Sequence, residues 1–163
     1  MNASAVYGAE HQWSAVLDRG GSVNFHGSQI NVPMQKRFAD IPSVQQYVDR
    51  VLALDSVRAK YPNAGPVRVR ERRGQGKAHY EPSTATVAIP MQNRAFGRES
   101  AVLHELAHHL SVSEGLPATR SGTRWHGAEF RRAMVFLVSA ALGEPAALLL
   151  RAGYYSSGLL RSG

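Results

Sequence analysis

His104-Glu105-Leu106-Ala107-His108 places two histidines four residues apart, with a glutamate directly after the first. On an α-helix, residues four apart lie on one face, one turn from each other, so both imidazoles can face one metal ion. Glu105 lies about 100° further around the helix, close enough to reach a water at the metal without being a ligand. Two neutral imidazoles leave Zn²⁺ Lewis-acidic, and the carboxylate can take a proton from its water. The spacing predicts half of a zinc-hydrolase site, with His104 and His108 as ligands and Glu105 as general base.

The surrounding residues predict that this motif lies on a helix. Apolar residues recur at helical spacing through it, at Ala101, Val102, Leu103, Leu106, Ala107 and Leu110. Gly115 and Pro117 predict where the helix ends. The alternative is an ordinary helix with fortuitous histidines, since a bare H-E-x-x-H motif has known false positives.

A catalytic zinc site usually has three protein ligands and one open position, so a third ligand is needed. Glu114 lies where the metzincin pattern H-E-x-x-H-x-x-G-x-x-H has its third histidine, but Ser111 replaces the glycine that turns the chain. Glu129 lies near the spacing of thermolysin-like zinc proteins. His126 is our choice, because it directly precedes a second helical pattern and can project toward the first helix. That pattern comprises Phe130, Ala133, Met134, Leu137 and Ala141.

The two motifs together resemble a known family. A helix with His-Glu-Leu-Ala-His-His, a variable loop and then His126-Gly127-Ala128-Glu129-Phe130 is similar to the SprT/Spartan-type zinc metallopeptidases. It also resembles short bacterial metallohydrolases whose substrates are unassigned. The resemblance covers about residues 98–142. It implies a zincin-like fold, one Zn²⁺ ion held by His104, His108 and His126, and Glu105 as general base. It also implies that Gly127 and Phe130 are structural parts of the second motif.

One departure from the family concerns cysteine. Many SprT-type proteins carry a Cys-rich zinc ribbon, whereas this chain has no cysteine. The DNA targeting that such a ribbon supports therefore does not follow from the resemblance. The absence of cysteine also excludes disulfides and thiolate metal sites, which leaves histidines and carboxylates as ligands.

Length and composition predict one globular domain over residues 1–163. The chain is 44% hydrophobic and 19% charged, as is usual for a globular protein with a real core. Residues 1–10 lack the basic and apolar regions of a signal peptide, and the apolar stretch 133–152 is interrupted by Gly143-Glu144-Pro145. We read that stretch as two core helices and expect no membrane association. The cytoplasm is the default location.

The net charge of +7 and the pI of 10.2 are compatible with non-specific binding to nucleic acid. Arg68, Arg70 and Arg72 alternate along a predicted strand and share one face. That face is either a phosphate-binding strip or the solvated side of an edge strand, and we favour the second because exposed strand edges are commonly charged.

Other elements are predicted from local patterns. Residues 7–17 form a short helix, residues 23–32 hold short strands, and a helix capped by Ser43 with Gln46 runs to the loop that begins at Pro62. Thr84–Ile89 is predicted to be a strand, either an ordinary hairpin strand or an edge strand that pairs with an extended substrate peptide.

Several polar residues receive no committed role. His11 and His26 have no metal-ligand spacing, while His109 and Glu129 are at most neighbours of the ligands. Arg120 and Arg124 would add positive charge near the metal. Three tyrosines are candidates for stabilising an oxyanion, namely Tyr80, Tyr154 and Tyr155.

The sequence therefore predicts an α+β protein in which a small, mostly antiparallel sheet packs on the metal-binding helix, followed by a second C-terminal helix. Its predicted function is zinc-dependent hydrolysis of a peptide bond in a peptide or protein substrate. A basic nucleic-acid-binding module with a structural metal, a DNA-stimulated protease and a hydrolase of another amide remain alternatives. An intact Glu105 favours an enzyme, because a structural metal site has no use for a base. The oligomeric state does not follow from the sequence.

Overall fold

The computed structural model describes residues 2–115 and 125–159. Its described part has six α-helices and five β-strands. In chain order these are α1 (Asn2–Arg19), β1 (Gly21–Phe25), β2 (Ser28–Val32), α2 (Ile41–Leu52), α3 (Asp55–Lys60), β3 (Arg68–Glu71), β4 (His79–Glu81), β5 (Thr86–Ile89), α4 (Glu99–Ser113), α5 (Ala128–Leu142) and α6 (Glu144–Ser156). The α+β class predicted from the sequence is confirmed.

The N-terminal helix is longer than the predicted segment 7–17. α1 buries Val6, Trp13 and Leu17 and packs against α6. The indole N–H of Trp13 donates a hydrogen bond to the carbonyl of Ala146, with 2.9 Å between the heavy atoms. The first and last helices of the described chain are therefore joined in the core.

The strands form two separate small sheets. β1 and β2 pair antiparallel around His26-Gly27, both at positive φ, as a two-residue type I′ hairpin turn requires. The second sheet has the order β3-β5-β4, with β3 parallel and β4 antiparallel to β5. The predicted mostly antiparallel sheet is thus partly wrong, because the three-stranded sheet is mixed.

The prediction that residues 84–89 form an edge strand is wrong. β5 is the central strand rather than an edge, and all four of its residues are buried. Val87 and Ile89 lie on one face of the sheet, and Ala88, which is paired with Arg70 on β3 and His79 on β4, lies on the other. The arginine-bearing β3 and the short β4 occupy the edges, as their polar and short sequences favour.

The helix predicted to be capped by Ser43 begins earlier. Asp40 is the N-cap: its Oδ1 accepts from the backbone N–H of Ser43 at 2.9 Å and from the Ser43 hydroxyl at 2.6 Å. An aspartate satisfies an unpaired helical N–H as well as a serine does, so the earlier residue takes the position. The segment before Pro62 is also divided into α2 and α3 at Ala53-Leu54.

The metal-motif helix lies at the centre of the protein. Most of α4 is buried, and it packs along α5. α4 also contacts α2, β4 and β5, while α5 contacts α2 and α3. Gly143, at φ +94°, separates α5 from α6 where the sequence predicted a break. One hydrophobic cluster extends from Val6 to Leu159. Among the described residues, no helix is both long and apolar enough to cross a bilayer.

Candidate metal centre

Two histidines of α4 and one that precedes α5 meet in the core. His104 and His108 lie one turn apart on α4, and His126 lies two residues before Ala128, the first residue of α5. One ligand atom from each lies within 4.8 Å of the others, and all three side chains are buried. The histidines selected from the sequence are therefore close enough to hold one metal ion.

The geometry of this group fits a small divalent cation. Nε2 of His104 and Nε2 of His126 are 3.2 Å apart. Two nitrogens about 2.0–2.1 Å from one tetrahedral zinc ion would lie roughly 3.3 Å apart. Burial, with the nearby charges of His104 and Lys77, lowers the pKa of His126 to about 3. The imidazole of His126 is consequently neutral, the form that binds metal.

Aromatic rings hold His108 in place. Trp125 stacks on its imidazole at 4.0 Å between centroids and 7°, and Phe130 stacks at 4.3 Å. The ring centroid of Phe130 also lies 4.8 Å from that of His104 and 5.1 Å from that of His126. The phenylalanine that ends the second sequence motif is therefore the common packing surface of all three histidines. The backbone carbonyl of His126 accepts from the buried guanidinium of Arg131 at 2.8 Å.

A buried carboxylate from α1 contacts the first histidine. Nδ1 of His104 is 2.8 Å from Oε1 of Glu10, whose Oε2 accepts from the Tyr154 hydroxyl at 3.1 Å. Burial by itself lowers the pKa of His104, but the charges of Glu10 and Glu105 and the Glu10 hydrogen bond raise it overall. Glu10 could not be recognised from the sequence, because nothing in the local pattern of α1 shows that it faces a residue 94 positions away.

Tyr7 is a second residue of α1 that the sequence did not indicate. Its ring stacks on His104 at 5.1 Å and meets His126 edge-on at 5.2 Å. The ammonium of Lys77 lies 4.4 Å from the ring centroid, within the range of a cation–π interaction. Burial, followed by the charges of Glu105 and Glu10, raises the pKa of Tyr7 to about 12, so its hydroxyl stays protonated at neutral pH.

Two cavities have Glu105 in their lining. One, of about 320 Å³, is lined by His108, Trp125 and His126 and by the residues of β4 that face them. The other, of about 400 Å³, extends past His104 toward Phe96 and His11. Both are lined by Tyr7, Lys77 and Glu105, and we call the pair the cleft. Glu105 is only 5% exposed, yet it borders this space, where a water and a substrate could lie next to the histidines.

Comparisons of the chain with models of known protein families, with curated protein sequences and with solved structures gave no match. The SprT/Spartan resemblance and the zincin-like fold therefore remain predictions based on the two motifs.

The alternative third ligands do not join the histidine group. Glu114 and Glu129 are exposed, and within the described chain the metal-compatible group consists of His104, His108 and His126. α4 continues to Ser113, and the Ser111 hydroxyl donates to the carbonyl of Ala107 at 2.8 Å. The chain thus does not turn at position 111, as the metzincin arrangement would need.

The other histidines considered in the sequence, His109, His11 and His26, do not belong to the metal-compatible group of the described residues. Nε2 of His109 donates to the carbonyl of Gly65 at 2.7 Å, and its Nδ1 accepts from the Tyr80 hydroxyl at 2.8 Å. His109 therefore has a packing role. His11 and His26 are exposed.

The three tyrosines considered for stabilising an oxyanion are not placed to do so. The hydroxyls of Tyr80 and Tyr154 are directed at His109 and Glu10, while Tyr155 is 68% exposed. Arg120 and Arg124, expected near the metal, lie outside the described residues.

The arginine face of β3 has partners within the sheet. Arg70 reaches across the central strand to Glu81 at 2.6 Å, and His79 contacts the same carboxylate at 3.0 Å. Hydrogen bonds from His79 and Arg70 lower the pKa of Glu81 to about 2. Arg72 donates to the carbonyl of Lys77. The pairing of Arg70 with Glu81 favours the reading of this face as the side of an edge strand over that of a phosphate-binding strip.

Proposed function

We propose that the protein is a zinc-dependent metallopeptidase. The observation that carries the proposal is the group of three buried histidines with Glu105 beside it at the cleft. The family resemblance of the two motifs supports the same activity.

The chain's own residues have distinct roles in this proposal. Zinc would supply a Lewis acid that polarises the scissile carbonyl and makes a water acidic near neutral pH. Glu105 takes the proton from the attacking water and passes it to the leaving amine nitrogen. The buried surroundings of the cleft strengthen these charge interactions relative to bulk water.

A substrate peptide has a place to pair next to the metal centre. Among the described residues, β4 is paired on one side, with β5, and its residues His79 and Tyr80 line the cleft. A free strand edge offers backbone donors and acceptors to an extended peptide. We therefore assign to β4 the substrate-pairing role that the sequence suggested for Thr84–Ile89.

Metal analysis tests the proposed centre first. Elemental analysis of the purified protein should find about one zinc per chain, and His126→Ala should lose it or bind it much more weakly. Glu129→Ala is the matched control, because Glu129 lies on the next helix but is exposed, and it should keep its zinc. Full zinc affinity in His126→Ala would overturn the three-histidine site.

Glu105→Gln then tests the chemistry. The variant should retain zinc but lose peptidase activity, by roughly 100-fold or more, because a glutamine cannot take the proton. An unstructured protein such as casein and a library of short peptides are suitable substrates. If the zinc-loaded Glu105→Gln variant turned over substrate at the wild-type rate, Glu105 would be excluded as the general base.

Nucleic-acid binding is a second candidate, favoured by the net charge of +7 and by Lys77 and Arg72 at the cleft. Affinity of the metal-free protein for DNA that falls steeply with salt would support it. Peptidase assays with and without DNA distinguish a DNA-stimulated protease from a plain peptidase.

A further inference from the structure

α1 carries a carboxylate, Glu10, that is buried in the protein core. Glu10 is only 7% exposed, and burying an ionised carboxylate is costly unless it is paired and hydrogen-bonded. Both of its oxygens have partners, His104 on α4 and Tyr154 on α6. Neither partner is near Glu10 in sequence, so the contact exists only because three helices bring these side chains together.

The direction of the contact matters for the metal centre. Because Glu10 accepts a hydrogen bond from Nδ1–H of His104, the lone pair of the neutral imidazole lies on Nε2. Nε2 is also the atom that lies 3.2 Å from Nε2 of His126. A carboxylate behind a ligand imidazole fixes the tautomer and the ring orientation and increases the basicity of the metal-binding nitrogen.

Tyr154 completes the arrangement. Its hydroxyl donates to Oε2 of Glu10, which leaves Oε1 for His104 and restricts rotation of the carboxylate. Tyr154 is fully buried on α6, which is tied to α1 by the hydrogen bond from Trp13 to Ala146. The carboxylate is therefore held by rigid elements rather than by a loop.

We infer that Glu10 is a positioning residue of the metal centre, with Tyr154 holding it in place. Through Glu10, the first and last helices set the affinity of a site whose ligands all lie on α4 and at the start of α5. This inference rests on the proposed metal site and adds a determinant that neither sequence motif contains.

The decisive measurement is zinc affinity, by competition with a chromophoric chelator. Glu10→Gln keeps the size of the side chain but removes its charge, and should weaken zinc binding by about 10- to 100-fold. Tyr154→Phe should weaken it in the same direction but less, because the carboxylate remains. Glu129→Gln makes the same chemical change at an exposed position near His126 and should leave the affinity unchanged.

A purely structural role for Glu10 predicts a different result. In that case Glu10→Gln would lower the melting temperature of the metal-free protein while its zinc affinity stayed at the wild-type value. Nitrogen-15 NMR of the zinc-loaded wild type supplies an independent readout, and should find the proton of His104 on Nδ1. A proton on Nε2, or wild-type zinc affinity in a folded Glu10→Gln variant, would overturn the inference. If the wild type binds zinc, the proposed metallopeptidase function stands whatever the result for Glu10. If the wild type binds no zinc, the proposed function and the inference about Glu10 both fail.

Discussion

At the scale of single residues, the site combines groups that the sequence marks with groups that it does not. His104, Glu105, His108 and His126 are visible because metal chemistry imposes a spacing on them. Tyr7 and Glu10 come from a helix whose sequence carries no such spacing, and they reach the site through packing of α1 on the core. A residue whose role depends only on tertiary packing leaves no periodic signal.

Tyr7 is the tyrosine we expect to act in catalysis. Its ring lies against His104 and His126, and the hydroxyls of Tyr80 and Tyr154 are directed elsewhere. Tyr7→Phe should keep its zinc but lower kcat about 100-fold, the usual effect of removing one donor to a developing oxyanion. Since the pKa of Tyr7 is raised to about 12, a pH titration of the metal-free wild type should show no ionisation of Tyr7 below about pH 10.

Steady-state kinetics of the wild type and Tyr7→Phe, together with the zinc content of each, test the catalytic role of Tyr7. Tyr155→Phe is the control, because Tyr155 is exposed. An unchanged kcat in zinc-loaded Tyr7→Phe would limit Tyr7 to packing against the histidines.

At the scale of elements, β4 has the geometry to select how a substrate binds. A peptide added to a strand edge forms backbone hydrogen bonds through alternate residues. A series of substrate peptides, each N-methylated at one position, should therefore show losses of kcat/KM that alternate along the peptide. Equal losses at neighbouring positions would argue against pairing with β4. Removing Lys77 by Lys77→Ala is a useful comparison, because it changes the cleft without altering the strand backbone.

The start of α2 gives a prediction about stability. Asp40→Ala should lower the melting temperature, because the cap to Ser43 is lost, whereas Gln46→Ala should have little effect. Hydrogen bonds from Ser43 lower the pKa of Asp40 from 3.8. A carboxylate with a lowered folded-state pKa contributes stability above its unfolded pKa and loses it as the pH falls through the folded one. The difference between wild type and Asp40→Ala should therefore be present at neutral pH and shrink below about pH 3.8. A larger effect from Gln46→Ala would restore the capping box that the sequence predicted.

At the scale of the whole molecule, element types followed from the sequence more readily than their arrangement. α4 and α5 were predicted because apolar residues recur through both segments, and the two histidines of α4 meet His126 as expected. The order β3-β5-β4 was not predictable, because Thr86–Ile89 has the same apolar character whether it is central or beside a cleft. Nor was the pairing of α1 with α6, which depends on contacts between the two ends of the described chain.

That pairing predicts how the whole molecule responds to metal. Zinc at about 100 times its Kd should stabilise the folded state by roughly 2.7 kcal/mol. Because His104 is linked through Glu10 to Tyr154, hydrogen-exchange protection on adding zinc should rise in α1 and α6 as well as in α4 and α5. In Glu10→Gln, measured at zinc concentrations that give equal occupancy, the added protection of α1 and α6 should decrease while that of α4 and α5 remains. Protection confined to α4 and α5 in wild type would mean that the terminal helices pack on the metal centre without being energetically coupled to it.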